Sequence, residues 1–176
     1  APSRLWAGDG APAACAALIR RARAWGRASG VAVLAAARRR QYRSWLEGHT
    51  PKANQLAVMR RESEALANPL VICLVMPVHN PDQAWLEAAI DSVLSQAYPH
   101  LELCIADDAS TQPHVRAVLE RAASDTRVRV SYGEQQGGIA AASNSALALA
   151  RGAYVGFIDH HDVFRPHALS AMAAST

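Results

Sequence analysis

The sequence predicts an α/β fold: a mostly parallel sheet with helices on both faces, preceded by a basic α-helical segment. Three observations carry that expectation. From residue 70 onward, short apolar runs of strand length alternate with segments of helical period. The runs are continuous and rich in Val and Ile, the pattern of strands covered on both faces. Finally, the charge changes sign along the chain. Residues 1–68 hold twelve Lys+Arg against four Asp+Glu (net +8), and residues 69–176 hold six against eleven (net −5), within an overall +3.

The basic front carries Arg20, Arg21, Arg23 and Arg27, then Arg38, Arg39, Arg40 and Arg43, between Ala/Leu/Val stretches. Such spacing suits a helix resting on an anionic surface, or a plain solvated helical face. Aromatic interleaving is thin (Trp25, Tyr42, Trp45) and no nucleic-acid fold signature accompanies it. The expected partner is therefore a membrane surface, touched peripherally, and no nucleic acid. Gln55–Ala67 reads as a further helix, and Asn68-Pro69 marks the boundary between a 1–68 helical region and a 69–176 α/β domain.

Leu70–Met76 is the first strand, too short for a free helix. Asn80-Pro81 reads as an N-cap with proline at the first helical position. Trp85, Leu86, Ala89, Ile90, Val93 and Leu94 continue with a 3.6-residue period until Tyr98-Pro99-His100 breaks it. Leu101–Ala106 is the second strand, and a helix follows over 114–123. Val128–Tyr132 is the third strand, and the turn Gly133–Gly138 leads into a helix over 139–150. Arg151-Gly152 reads as its basic last residue and C-cap glycine, and Ala153–Ile158 is the fourth strand. Strict alternation of this kind implies right-handed crossovers and a Rossmann-like sheet.

Composition narrows the class. No run approaches the roughly 18–20 apolar residues of a membrane span, and Arg4 alone makes a poor start for a secretory signal. Cys15, Cys73 and Cys104 form an odd set without metal spacing, two of them inside buried strands. These features suggest a reducing, cytoplasmic setting. The absence of G-x-x-x-x-G-K-[ST] and G-x-G-x-x-G turns weakens kinase, ATPase and dehydrogenase readings.

The four strands end in Pro77-Val78-His79-Asn80, Asp107-Asp108, the glycine turn, and Asp159-His160-His161-Asp162. In a parallel sheet these C-terminal ends share one edge, where open α/β sheets bind ligands. Carboxylates there can accept from a nucleobase N–H or a ribose hydroxyl. Gly137 and Gly138 let backbone approach phosphate, and the helix start at Ile139 is expected to offer free N–H groups. Oxygen and nitrogen donors after the fourth strand suit Mn²⁺ or Mg²⁺ bridging a diphosphate. Singly, each feature has a plainer counterpart: a helix cap, a loop, or, for Asn144, a surface polar residue.

Val75-Met76-Pro77-Val78-His79-Asn80, Ile105-Ala106-Asp107-Asp108-Ala109-Ser110-Thr111, Gly137-Gly138 through Ser143-Asn144, and Phe157-Ile158-Asp159-His160-His161-Asp162 with Pro166 agree in order and spacing with one family. Over residues 70–172 the chain resembles the N-terminal, nucleotide-sugar-binding half of a family 2 glycosyltransferase with the GT-A fold. Tyr42-Arg43-Ser44-Trp45 also resembles the helical lead-in of bacterial cell-surface polysaccharide enzymes. The resemblance implies transfer of a sugar from a nucleoside diphosphate sugar, UDP- or dTDP-linked, to a hydroxyl of a saccharide or lipid-linked acceptor, usually with inversion. It implies that Pro77, His79 and Asn80 line the nucleotide cleft and that Asp107 and Asp108 receive base and ribose. Gly138 and Asn144 would shape the pocket, and Asp159 would hold ribose and metal.

Two departures stand out. His161 occupies the third position of an element that in the family is commonly Asp-x-Asp-Asp, so Asp159, His161 and Asp162 are the expected metal set, with His160 a bystander. Imidazole ligates Mn²⁺ but is a poor Mg²⁺ ligand. The chain also stops fourteen residues after Asp162, and Val163–Thr176 contains no Asp or Glu. The general base that the family's acceptor half supplies is therefore not expected here. Either the chain is the donor half of a glycosyltransferase, or it is a degenerate nucleotide-binding module without turnover. A different phosphoryl or nucleotidyl transferase is the third alternative.

Overall fold

The structure, a computed structural model, describes residues 38–175. The chain divides into two compact units between Thr50 and Pro51. In the first, residues 38–49 form helix α1, which exposes Arg38, Arg39, Arg40 and Arg43. The Trp45 ring stacks on Tyr42 at 6.2 Å and on His49 at 4.5 Å. Arg20, Arg21, Arg23, Arg27, Trp25 and Cys15 lie outside the described residues. Among the described residues no helix is long and apolar enough to cross a membrane.

The second unit begins with α2 (Ala53–Glu64) and continues β1 (Ile72–Val78), α3 (Gln83–Leu94), β2 (Leu101–Asp107), α4 (Pro113–Ala122), β3 (Val128–Tyr132), α5 (Gly138–Leu147), β4 (Tyr154–Phe157) and α6 (Ala168–Ala173). The sheet order is β3-β2-β1-β4, with every neighbouring pair parallel. Ile72 stands opposite Leu101 on one side and Tyr154 on the other, and Leu103 stands opposite Val128.

The two central strands are apolar, apart from Glu102 and the terminal Asp107 of β2, because both of their faces are covered. Ile72, Leu74, Met76, Leu103 and Ile105 pack with Leu86, Ile90 and Val93 of α3 and Val115, Val118 and Leu119 of α4. The other face sends Val75, Cys104 and Ala106 against Ala142 and Ala146 of α5. Those alanines stand one helical turn apart, which lets α5 lie close on the sheet. Proline is rare in a central strand because it lacks the ladder donor. Pro77 is tolerated because β1 pairs with β4 only from Ile72 to Val75, and successive residues of a parallel strand bond to alternate sides.

Two expected helix ends fall elsewhere. The N-cap of α3 is Asp82, whose carboxylate accepts from the Ala84 and Trp85 amides, and not Asn80. Asn80 adopts the left-handed region (φ 46°) that short polar residues tolerate, and turns its side chain to a neighbouring loop. Helix α5 closes at Ala148, so Gly152 is not its C-cap. Gly152 instead permits a close crossing: a Cβ there would run into the Val71 carbonyl oxygen and the Cys73 Sγ.

That crossing anchors a polar network under the sheet. The Gly152 N–H donates to Cys73 Sγ (3.0 Å), and Cys73 donates to Glu102 Oε2 (2.9 Å). Glu102 also accepts from the Arg151 amide (3.0 Å) and from Arg129 Nη2 (2.7 Å). Burial works against the charged Glu102, yet the bonds from Cys73 and Arg151 and the Arg129 charge outweigh it and hold its carboxyl below the usual range. Cys73 and Cys104 are buried free thiols, as expected of strand cysteines. Burial pushes Cys104 up to about 11, so it is inert at neutral pH.

Gly152→Ala is expected to cost about 1–3 kcal/mol by overpacking against backbone, read as a lower urea midpoint. An unchanged midpoint would show that the crossing can widen freely. Glu102→Gln should cost about 2 kcal/mol at neutral pH, less than the ~3–5 of a fully buried pair. Because its folded pKa is depressed, Glu102 contributes fully above its unfolded value of about 4.3. That contribution fades as the pH falls through the lower folded value. Urea titrations from pH 7 to 3 should therefore show a shallower acid decline in the Gln variant.

Candidate functional site

The C-terminal ends of β1, β2 and β4 and the turn before α5 meet in one open cleft of about 150 Å³. This is below the roughly 300–1,000 Å³ of pockets that engulf a drug-sized ligand, so it is a groove. Pro77, His79, Asp108, Gly138, Asp159 and His160 line it.

At the end of β1, His79 Nδ1 lies 2.7 Å from the Asp108 carbonyl oxygen. A carbonyl only accepts, so Nδ1 carries the proton and Nε2 is left to accept from Asn80 Nδ2 at 3.3 Å. Asn80 does not line the cleft. Its Oδ1 accepts from the Thr111 (2.8 Å) and Gln112 (3.1 Å) amides, and its own N–H donates to Ser110 Oγ (2.9 Å). It thereby ties the loop after β1 to the loop after β2, at the start of α4.

The two aspartates after β2 are buried and have separate tasks. Asp107 is not among the residues lining the cleft and accepts from the Ser110 amide at 3.2 Å. This turn places Ala109 at φ 55°, a region that costs an L-residue with a Cβ roughly 1–2 kcal/mol. Asp108 donates its N–H to Val78 O (2.8 Å). Its Oδ1 accepts from Gly137 N (2.7 Å) and its Oδ2 from Gly138 N (2.8 Å). The chain's own carboxylate thus occupies the two glycine amides at the head of α5. Gly138 sits at φ 83°, where a glycine is needed to bring its N–H round to Asp108. Asn144, two turns into α5, is exposed and outside the cleft lining.

After β4, the Ile158 amide bonds Val75 O (3.1 Å), and the chain turns through Asp159, with the Asp162 amide donating to Asp159 O (3.0 Å). Asp159 Oδ1 accepts from the His160 amide (2.7 Å). The Nδ1 atoms of His160 and His161 stand 3.0 and 3.1 Å from that same oxygen. Asp159, His160 and His161 thus form a group whose ligand atoms all lie within 4.8 Å of one another. His160, expected to be a bystander, is part of this group: its Nδ1 stands beside Asp159 Oδ1 and 3.4 Å from the Pro77 carbonyl oxygen. The Asp162 carboxylate is not brought into it; Asp162 closes the turn through its amide.

The far side of the turn is held by residues that carried no sequence signal. The Phe164 amide donates to Ser92 Oγ (3.1 Å). Gln96, fully buried at the end of α3, donates to Arg165 O (2.8 Å) and accepts from the Leu169 amide (3.1 Å). Gln136, Ile139 and Ala142 also line the cleft. Of these, only the placement of Gln136 beside the glycine turn could have pointed to the site.

The profile described as "Glycosyl transferase family 2" matches residues 73–175. A Sinorhizobium fredii protein, y4gI, is 45% identical over 72% of this chain and 14% of its own length. The O-antigen biosynthesis protein RfbC of Myxococcus xanthus is 38% identical over 75% of this chain and 10% of its own. Among solved structures, S. aureus TarS 1–349 in complex with UDP-GlcNAc superposes with a TM-score of 0.55 at 27% identity, over 60% of this chain and 30% of that one. The chain therefore spans a small part of the relatives it matches. Four parallel strands with converging polar ends, and a family profile covering more than half of the sequence, lead to one conclusion: the chain belongs to glycosyl transferase family 2.

Proposed function

We propose that the cleft binds the nucleotide of a UDP- or dTDP-linked sugar and forms the donor site of a glycosyltransferase. The acceptor would be a hydroxyl of a saccharide or lipid-linked saccharide in cell-surface polysaccharide or O-antigen synthesis. The single observation that carries this reading is the convergence of His79, Asp108, Gly138 and Asp159 on one cleft from four separate strand ends and turns. The likeness to a protein solved with UDP-GlcNAc supports a nucleotide sugar as ligand. We further propose a cytoplasmic location at the inner membrane face, with the exposed arginines of α1 and the basic segment before it touching anionic lipid. On this reading the helical region is 1–68 and the glycosyltransferase domain 69–176.

Pro77 and His79 would line the nucleoside side, with the imidazole fixed in one tautomer by the Asp108 carbonyl. Asn80 and Asp107 act behind the cleft wall, holding the loops that frame it. Gly138 and Asn144 would set the shape of the α5 side. Because Asp108 already occupies the Gly137 and Gly138 amides, those two donors are not available to a diphosphate. Of the expected pair Mn²⁺ or Mg²⁺, the donors after β4 fit Mn²⁺ better in kind, with Asp159 and His161 of the expected set Asp159, His161 and Asp162 standing together. When bound, such an ion neutralises the diphosphate as it leaves. We assign the general base to no residue of this chain.

Calorimetric titration of UDP with and without Mn²⁺ tests the donor site. Metal-dependent binding that falls at least about 10-fold in Asp159→Ala is expected. No binding under either condition would favour the degenerate module.

Asp108→Asn separates a base contact from a turn clamp. An amide cannot accept at both positions, and its NH₂ would face a glycine N–H. The expected result is a loss of about 10-fold or more for UDP, CDP and GDP alike, on the scale of one unsatisfied buried group. A loss confined to UDP would instead show that Asp108 reads the base directly.

A further inference from the structure

We propose that Asp159, His160 and His161 form a mixed oxygen–nitrogen site that selects Mn²⁺ and similar transition ions over Mg²⁺, with His160 in the place expected of Asp162. This rests on the reading of the cleft as a diphosphate site.

The donor geometry is the first support. Two Nδ1 atoms approach one carboxylate oxygen, at 3.0 and 3.1 Å, from rings set edge to face at 79°. Adjacent donors around an octahedral ion with bonds of about 2.1–2.2 Å are themselves about 3.0–3.1 Å apart. The same separation suits two Nδ1–H donors to a carboxylate, so the alternative is a plain hydrogen-bonded turn. Asp159 and His160 line the cleft, which gives the group a ligand space that a surface turn lacks.

Donor chemistry decides the ion. Mg²⁺ takes oxygen ligands and gives up water reluctantly, whereas imidazole suits Mn²⁺, Co²⁺ and Zn²⁺. A set of one carboxylate and two imidazoles carries a single negative charge, so it offers Mg²⁺ little to offset dehydration. The set is also partly open to solvent: the His161 side chain is 57% exposed and that of Asp159 36%. Coordination positions therefore remain for phosphate oxygens.

The turn is built to hold this arrangement. It is pinned before Asp159 by the Ile158–Val75 bond and after Asp162 by Ser92 and Gln96. Its backbone orients Asp159 through the His160 amide. Exposed His161 can be exchanged without disturbing the core, so variants there test ligand chemistry and not folding.

The test uses the full chain without nucleotide. Mn²⁺ binding is followed by loss of the free-ion electron paramagnetic resonance signal, and Mg²⁺ by competition. Mn²⁺ should bind at one equivalent, about 30-fold or more tighter than Mg²⁺, with nitrogen couplings from two imidazoles in the pulsed spectrum. His161→Asp should narrow the Mn²⁺/Mg²⁺ ratio about 10-fold, and His160→Ala should weaken Mn²⁺ about 10-fold while leaving Mg²⁺ unchanged. Equal affinities in the parent chain, or nitrogen coupling absent or unchanged in His160→Ala, would overturn the proposal. UDP binding without selective metal binding would sink this site and leave the donor reading standing; selective metal binding without UDP binding would do the reverse.

Discussion

Asp108 joins three chain segments that are distant in sequence. Its N–H extends the ladder to Val78, its carbonyl orients His79, and its two carboxylate oxygens hold the Gly137 and Gly138 amides. The head of α5, the tautomer of His79 and the exit of β1 are therefore set by one buried residue. Such a carboxylate is tolerable because charge-assisted bonds to two backbone amides replace its lost water. The positive end of α5 adds to that stabilisation. The cleft wall is consequently rigid on the side away from β4, and the variable chemistry lies across from it.

The sheet was legible in the sequence because the central parallel strands are apolar on both faces but for Glu102 and the terminal Asp107 of β2. Leu70–Met76 and Leu101–Ala106 lie within two residues of β1 and β2, and Val128–Tyr132 matches β3. The ends were less legible. Asn80-Pro81 has the composition of a helix start, but Asp82 supplies the cap and releases Asn80 to bridge loops more than thirty residues away. Gly152 has the composition of a helix end, but its small size serves a backbone crossing with Val71. In both cases local propensity named the right residue type and tertiary contact assigned it another task.

The cleft residues were found through strand order, because topology alone brings four strand ends to one edge. Contacts perpendicular to that logic were not legible. Gln96 reads as a polar residue at a helix end, yet it is fully buried with all of its amide functions engaged across the segment that follows β4. Nothing in the spacing distinguishes it from an exposed glutamine, since besides the Ser92 carbonyl its partners are backbone atoms of Arg165 and Leu169, far later in the chain. His160 was set aside on the pattern of a family element, whereas its ring lies between the Asp159 carboxylate and the Pro77 carbonyl, a contact with a strand some eighty residues earlier.

Charge explains why the end of β4 must differ from the end of β2. Asp108 is neutralised in effect by the amides it holds, and Asp107 by its own turn. Asp159 receives one backbone amide and then faces two imidazole nitrogens, so on the proposed reading it is where a cation would enter. On the proposed reading, an anionic ligand laid along the cleft would meet carboxylates at both ends, and among the described residues the β4 end has the donors grouped to hold a cation against that charge. On the same reading, His161 in place of a carboxylate lowers the negative charge of the bare site, so a bound ion would leave it more positive while being held less strongly by charge alone. The same replacement narrows the choice of ion, since whatever enters must accept nitrogen as well as oxygen.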